Sequence, residues 1–438
     1  MIESLCPPRA LGLIGALLLS ALVTSIALGQ SPAPADSSRL ASTARVESPQ
    51  APAPASLWTR SRLTGDWWGS RSYLADRGVA VDLRYTSSLQ GLVAGTGDKA
   101  FDYGGKADAF INLDSGKMGL WKGGGFRTHI EYRHGDAFPL LGGALFAVNT
   151  AQLWPVGAPE ELHATSLYFT QKMGDRFDFA IGKVNPVDLL AADHFFGGWG
   201  IDRFMNLIFV APPSGLVPPV FMGAVAAIKT APISWSILVF DPNDRTTDYF
   251  PGDLFADGVN ASVTGAHDAT LGGRKTTYAV TANYSTAEGT DFSALPPNLT
   301  TSTKQGSYNV ALQFTHDLQE SSERPDASWG FYLKAAIADG NPNYVKASVI
   351  GVLGGRALFF GRPQDSFGLG AFYYDLSDEL QDSQAPSVDF HNEAAVETFY
   401  TFGVLQWLQV SANVQYIDPA KGTNDNALVP ALRTQIRF

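Results

Sequence analysis

The sequence has almost no cysteine: of its 438 residues, only Cys6 is one. Cys6 precedes the first apolar run, so the rest of the chain can form no disulfide and bind no metal through thiolates. Charged side chains are also scarce, at 17% of residues against roughly 25% in ordinary soluble domains. A net charge of −11, without a cluster of Lys and Arg, excludes nucleic acid as a partner.

Common catalytic and nucleotide-binding motifs are missing as well. There is no GxSxG, HExxH or GxxxxGK[ST] motif, and GTGDKA at residues 95–100 matches a dinucleotide fingerprint only loosely. Adjacent acids such as Asp378 and Glu379 would point to opposite faces of a strand, so they cannot act as a glycosidase pair. We therefore expect neither catalysis nor a cofactor.

The first residues carry an export signal. Arg9 precedes an apolar run that ends in small residues before Gln30, which predicts a secretory signal peptide over residues 1–29. The alternative is a retained N-terminal membrane helix, which the length of the run permits. Residues 30–57 are rich in Pro, Ala and Ser and predict a disordered or extended linker, because they contain too few large apolar side chains to form a core.

A short helical segment is predicted over residues 58–78. Asp66 can cap a helix at its start and Gly78 can end it. From Val79 to Phe438 the apolar residues recur with a period of two, which predicts strands.

The clearest strand is GGFRTHIEYRHG at residues 124–135. Side chains on a strand alternate between its faces. One face therefore carries Arg127, His129, Glu131 and Arg133, and the other carries Phe126, Thr128, Ile130 and Tyr132. An apolar face suits lipid, whereas the charged face suits a water-filled interior.

We count about fifteen such strands of about eight to eleven residues, close to the length that crosses a bilayer. Aromatic residues are frequent near their ends, as in the interfacial girdles of outer-membrane barrels. Residues 204–228 are apolar enough for a membrane helix, but Pro212, Pro213, Pro218 and Pro219 argue against it, and we expect two strands around a turn. The pattern predicts an all-β, transmembrane antiparallel β-barrel.

Several blocks resemble the OprB-type carbohydrate-selective porins. These are GDWWGSRSYLADRGV at residues 65–79, IGKVNPVDLLAADHFF at 181–196, GRPQDSFGLGAFYYDLSDEL at 361–380 and EAAVETFYTFGVLQWLQVSANVQYIDPAKG at 393–422. The resemblance implies a sixteen-stranded barrel with passive, sugar-favouring diffusion, and a final strand that the barrel-assembly machinery recognises. Two features depart from it: Trp68, where glycine is common, and the polar segment at residues 257–276.

The alternation selects the side chains expected to line the lumen. The main candidates are Asp82, Arg84, Asp108, Arg127, His129, Glu131, Arg133 and Trp199. Further inward-facing candidates are Lys334, Glu397, Arg433, Gln435 and Arg437. These charges either exchange hydrogen bonds with a passing sugar or act as salt-bridged struts of the wall.

Two loops have alternative interpretations. Phe195, Phe196 and Trp199, set among glycines, can fold into the pore and stack on sugars, or can belong to an ordinary girdle or outside loop. Residues 241–253 gather acids that suit calcium but lack the glycine and closing glutamate of an EF-hand. A solvated outside loop is the favoured interpretation there.

The expected function is passive diffusion of small sugars through an outer-membrane porin. The alternatives are a general or anion-admitting porin, and a soluble secreted β-rich lectin or adhesin. The expected partners are small carbohydrates, outer-membrane lipid and the barrel-assembly machinery. Assembly into a homo-oligomer is left open.

Overall fold

A computed structural model describes residues 56–190, 196–294, 302–322, 327–384 and 388–438. The predicted signal peptide and nearly all of the predicted linker lie outside these residues. Within the described ranges, no helix combines the length and the apolar character needed to cross a bilayer.

The chain from Val79 to Arg437 forms one closed barrel of sixteen antiparallel strands, in which each strand pairs with the next and β1 pairs with β16. The strands are β1 Val79–Gly91, β2 Phe101–Asp114, β3 Gly124–Gly135, β4 His163–Met173, β5 Phe177–Val184, β6 Phe221–Ile228, β7 Ser234–Phe240, β8 Asn260–Leu271, β9 Arg274–Thr290, β10 Thr303–Glu320, β11 Ser328–Ala338, β12 Val345–Ala357, β13 Arg362–Leu376, β14 Glu393–Leu405, β15 Leu408–Asp418 and β16 Ala427–Arg437. This confirms the predicted barrel, its strand number and its short N-terminal helix.

Side-chain burial alternates along the strands, as a wall between lipid and lumen requires. On β15, Asn413 and Gln415 are buried inside, whereas Val414 and Tyr416 are exposed at 40% and 50%. Closure gives every strand a partner on both edges, so no backbone edge faces hydrocarbon.

The connections differ in length between the two ends of the barrel. The end that holds residues 174–176, 229–233, 272–273 and 406–407 has short turns, and the other end has the long connections 136–162, 185–220 and 241–259. Outer-membrane barrels have short turns on the periplasmic side and long loops outside. The start of β1 and the end of β16 therefore lie at the periplasmic end.

In the part of the chain that the structure describes, five short α-helices and two 3₁₀-helices lie outside the strands. The α-helices are α1 Ser70–Asp76, α2 Thr150–Leu153, α3 Pro186–Leu189, α4 Leu207–Val210 and α5 Asp378–Gln384, and the 3₁₀-helices are Trp67–Gly69 and Leu358–Phe360. Helices α2, α3 and α4 each begin at an asparagine whose side chain accepts a hydrogen bond from a backbone N–H of the first turn.

The expectation of two strands within residues 204–228 is wrong. Only Phe221–Ile228 is a strand, and the residues before it contain α4 and the proline-rich end of a loop inside the barrel. Their apolar character serves packing against the inner wall: Phe209 and Val217 are fully buried.

The N-terminal segment lies across the junction of β1 and β16. Arg71 in α1 donates hydrogen bonds to the carbonyl oxygens of Val81 (2.6 Å) and Phe438 (2.7 Å), and the Leu63 N–H donates to the Arg437 carbonyl. The pairing of β1 with β16 runs from Arg84 to Gln90, so Arg71 supplies donors where the ladder has ended. The guanidinium thus joins the first strand to the last residue.

We expect Arg71→Ala to lower the free energy of unfolding by about 1–3 kcal/mol, because hydrogen bonds from a charged donor contribute on this order. The measurement is the temperature at which the folded barrel converts to the unfolded band on a detergent gel. Arg77→Ala, which removes an exposed arginine just after the same helix, is the matched control. We call the junction of β1 and β16 the seam. Equal conversion temperatures for the two variants would contradict a role for Arg71 at the seam.

Candidate functional site

Two loops from the outer end fold into the barrel and fill one side of it. We call residues 136–162 the first inward loop, and residues 185–190 and 196–220 the second inward loop. Their aromatic rings pack against the wall, with centroid separations of 4.7 Å for Phe146 and Tyr374, 4.9 Å for Phe204 and Phe399, 5.7 Å for Phe209 and Phe372, and 3.8 Å for Phe196 and Tyr332. The wall residues of these pairs lie on β11, β13 and β14, so the polar passage is left along β1, β2 and β16.

Two buried carboxylates on β14 hold the inward loops by their main chain. Glu393 accepts hydrogen bonds from the N–H groups of Leu145 (2.6 Å) and Phe146 (3.0 Å) in the first inward loop. Glu397 accepts from Met205 (2.6 Å) and Asn206 (2.9 Å) in the second. Backbone N–H groups enclosed in a barrel need partners, and a carboxylate offers two acceptor oxygens.

The two inward loops also bond to each other. The N–H of Leu207 donates to the carbonyl of Ala147 (2.8 Å), and the N–H of Thr150 donates to the carbonyl of Met205 (2.9 Å). The pair therefore acts as one body that the wall carboxylates hold in place.

A narrow cavity of ≈ 40 Å³ remains between this body and the opposite wall. We call it the constriction. The residues that line the constriction include Arg84, Lys106, Asp108, Phe110, Trp199 and Arg433. At about 10–15 Å³ per water position, the constriction holds roughly three waters.

Trp199 of the second inward loop is fixed at the constriction from two sides. Its indole N–H donates to Asp188 (2.7 Å), and the Lys106 ammonium lies 3.5 Å from the ring centroid. Asp188 in turn lies 2.9 Å from Nδ1 of His129 on β3 and accepts from the hydroxyl of Ser166 on β4 (2.5 Å). The aromatic surface is thus tied to the barrel wall.

Behind Trp199 lies a buried network of charges. Lys106 Nζ lies 2.5 Å from Glu131 and 3.2 Å from Asp108, and His129 Nε2 lies 3.1 Å from Asp108. Asp108, His129 and Glu131 place ligand atoms within 4.8 Å of one another, but the Lys106 ammonium already supplies a cation among the carboxylates. We interpret the group as ion pairs that brace the wall.

A wider cavity of ≈ 490 Å³ lies at the periplasmic end. We call it the vestibule. Its lining is Ser61, Arg62, Asp82, Arg84, Arg356, Gln364, Gly403, Leu405, Gln406, Gln409 and Arg437. Arg84 lines both cavities, so the constriction and the vestibule are neighbours.

The residues predicted from alternation divide between lining and bracing. Asp82 and Arg84 line the vestibule, and Asp108 and Trp199 line the constriction together with Arg84. His129 and Glu131 are buried behind Trp199. Neither of the two remaining predicted residues is among the described residues that line these cavities: Arg133 donates to the Gln152 carbonyl (2.6 Å), and Arg127 lies half-buried opposite Tyr168.

The additional inward-facing candidates have separate contacts. Lys334 is buried on β11 and Glu397 binds the second inward loop. Arg433 donates to the carbonyls of Ile201 and Arg203, whereas Arg437 lines the vestibule. Gln435 donates to Thr86 across the seam.

Sequence reasoning missed Lys106 and Asp188, and one of its loop candidates cannot be placed. Lys106 shares a face of β2 with Asp108, so the alternation could have found it. Asp188 lies in a loop where no periodic signal exists. Phe195 lies outside the described residues, while Phe196 stacks on Tyr332 inside the barrel.

In the acidic outside loop, an arginine occupies the centre of the carboxylates. Arg245 lies 3.2 Å from Asp241, 3.2 Å from Asp248 and 3.0 Å from Asp253. Burial would lower the pKa of Arg245, but hydrogen bonds to these three aspartates raise it above its ordinary value. Three of the acids on which the calcium alternative depended are thus paired with a cation of the chain itself.

A closed barrel with a lipid-facing outer wall and a narrowed polar lumen defines an outer-membrane porin. The model of the carbohydrate-selective porins, OprB family, matches residues 98–438, and the chain belongs to this family. It is therefore a sugar porin of the Gram-negative outer membrane and not an enzyme. The alternative of a soluble lectin or adhesin is wrong.

Individual relatives share the fold across most of the chain. Porin B of Pseudomonas aeruginosa is 24% identical over 444 residues, which cover 88% of this chain and 92% of that protein. The high-pH structure of Pseudomonas putida OprB is similar with a TM-score of 0.75 and 20% identity, over 88% of this chain and 100% of that one. The low-pH structure of Pseudomonas putida OprB is similar with a TM-score of 0.55 and 18% identity, over 87% of this chain and 99% of that one.

We expect Glu397→Ala to loosen the second inward loop, since two backbone N–H groups would lose their acceptor at a cost of about 1–3 kcal/mol each. Single-channel recordings should show added current noise, and proteases should cut within residues 185–220 more rapidly. Glu288→Ala, which removes an exposed carboxylate from β9, is the control. If the two variants gave the same noise and cleavage, apolar packing alone would hold the loop.

Proposed function

We propose that single monosaccharides cross the barrel one at a time by passing Trp199 in the constriction. The observation that carries the proposal is the position of this indole, which is bonded to Asp188 and faces a passage lined by Arg84, Asp108 and Arg433. We also propose that Asp82 and Arg84 continue the pathway into the vestibule. His129 and Glu131 act through the position of Trp199, while Arg127 and Arg133 belong to the wall.

The chemistry of a sugar suits this lining. A pyranose ring has an apolar C–H face that can lie on an indole or phenyl ring, here Trp199 and Phe110. Its hydroxyl groups both donate and accept, so Arg84 and Arg433 can donate to them while Asp108 accepts. Protein contacts can thus replace the hydration shell, and the solute leaves readily when each contact is weak.

The small volume of the constriction supports the proposal that the solutes are small. A cavity of ≈ 40 Å³ must widen by side-chain movement before a hexose ring can enter. Arg84 is paired with Asp82 and Trp199 is bonded to Asp188, so both side chains that border the passage are held in place. This narrowness argues against the alternative of a general porin.

We also propose a division of the chain into four segments, a role for its final strand and a surface for self-association. Residues 1–29 are the signal peptide, 30–57 the linker, 58–78 the N-terminal segment and 79–438 the barrel. The final strand, Ala427–Arg437, is the part that the barrel-assembly machinery recognises. A homo-oligomer would have to form through the lipid-facing wall, where apolar side chains can pack against a second copy.

The test of the proposed function is swelling of liposomes that contain the purified protein. Hexoses should cause swelling faster than trisaccharides, and empty liposomes provide the baseline. Absence of swelling with every monosaccharide tried would refute the proposal.

We expect Trp199→Ala to weaken block of the ion current by glucose about three- to tenfold, since aromatic packing of this kind contributes about 0.5–1.5 kcal/mol. Trp199→Phe should recover part of the effect because it keeps a ring face without the indole N–H. Trp121→Ala, in an exposed periplasmic turn, is the control. Unaltered glucose block in Trp199→Ala would remove the indole from the pathway.

A further inference from the structure

The vestibule carries more positive charge than a passage for neutral sugars requires. Four arginines line it, Arg62, Arg84, Arg356 and Arg437, and Asp82 is the acidic member among the described residues that do so. Arginine forks match a carboxylate group in shape and in hydrogen-bonding geometry.

The existing ion pairs satisfy only part of this charge. Arg84 binds one oxygen of Asp82, Oδ2, through both Nε (2.7 Å) and Nη2 (2.6 Å), so one arginine of the vestibule already has a carboxylate partner. Arg62 lies farther from the same aspartate, at 3.6 Å. Arg356 bonds at 3.1 Å to Asp202 of the second inward loop.

Asp202 is ionised in this setting. Burial opposes ionisation, but the positive charges of Arg203, Arg356 and Arg437 hold the pKa of its carboxyl below the ordinary value. Even with Asp82 and Asp202 both charged, the four guanidinium groups leave a positive excess.

Arg437 has hydrogen-bond donors that no charged partner uses among the described residues. Its Nη2 donates at 3.2 Å to the neutral amide of Gln409, and it makes no ion pair with any residue that the structure describes. Its Nε, like that of Arg62, is enclosed without a hydrogen-bond partner in the described chain. Buried donors of this kind ordinarily have partners.

The strand register places two of these charges directly opposite each other. Arg84 of β1 faces Arg437 of β16 at the seam. Like charges at directly opposed positions destabilise a sheet, so an anion bound between Arg84 and Arg437 would relieve their repulsion.

We propose that the vestibule binds the carboxylate of an acidic monosaccharide, a uronic or aldonic acid, through Arg437 together with Arg84 and Arg356. The cavity of ≈ 490 Å³ lies within the usual range for small-ligand sites. Gln364, Gln406 and Gln409 line the same space and offer neutral donors and acceptors to the hydroxyl groups. The inference rests on the proposed function in one respect, because the solute reaches the vestibule through the constriction.

The experiment compares block of the single-channel current by glucose, glucuronate and glucose 6-phosphate in about 0.1 M KCl. The three probes share one ring and differ in the group at a single carbon. We expect glucuronate to block the wild-type channel at least about fivefold more strongly than glucose. That advantage should shrink in about 1 M KCl, where screening shortens the range of the attraction.

Arg437→Gln tests the residue itself, with Arg274→Gln as the matched control. Arg274 is an exposed arginine at the same end of the barrel, so its replacement removes an equal charge outside the vestibule. The ratio of glucuronate block to glucose block should fall at least about threefold in Arg437→Gln and stay at the wild-type value in Arg274→Gln.

Three results would overturn the inference. Glucuronate and glucose could block the wild-type channel equally, or both variants could lower the ratio to the same extent. Stronger block by glucose 6-phosphate than by glucuronate would assign the site to phosphate esters instead. Failure of the proposed function is distinguishable, because neutral hexoses would then give no liposome swelling while glucuronate block could still be recorded.

Discussion

A backbone that crosses hydrocarbon must satisfy its hydrogen bonds within the protein, and the architecture of this chain depends on that constraint. Sixteen strands meet it by closing on themselves, with β1 paired to β16. Closure leaves an interior wide enough to require filling. The same requirement then applies to the main chain of the two inward loops, whose N–H groups are bonded to Glu393 and Glu397.

The inner wall therefore combines two tasks that alternation alone does not separate. The same alternation predicts that Glu397 and Glu131 face inward, yet Glu397 binds a loop and Glu131 binds Lys106. Arg84 and Asp108 face the same interior and line the open passage. The position of the inward loops thus determines which inward-facing side chains are bonded to protein and which line a cavity.

The sequence predicted the barrel well because its strongest signal is local. Period-two segments such as residues 124–135 expose the two faces directly. Strand β8 lies in the polar segment at residues 257–276 and is hard to recognise from the sequence. Its exposed residues include His267 and Asp268, which interrupt the apolar alternation. The loop at residues 204–220 was mistaken for a strand because apolar residues packed inside a lumen resemble those facing lipid. The contact of Asp188 with Trp199 depends on the path of a loop, which no periodicity encodes.

The seam between the first and last strands has a consequence for maturation. Arg84 faces Arg437, Thr86 faces Gln435 and Ser88 faces Arg433 across it, and several of these side chains line the constriction or the vestibule. The first strand and the last strand thus both contribute polar side chains to the two cavities. A barrel still open at this junction would separate these side chains, so the two cavities are complete only after β1 and β16 have paired.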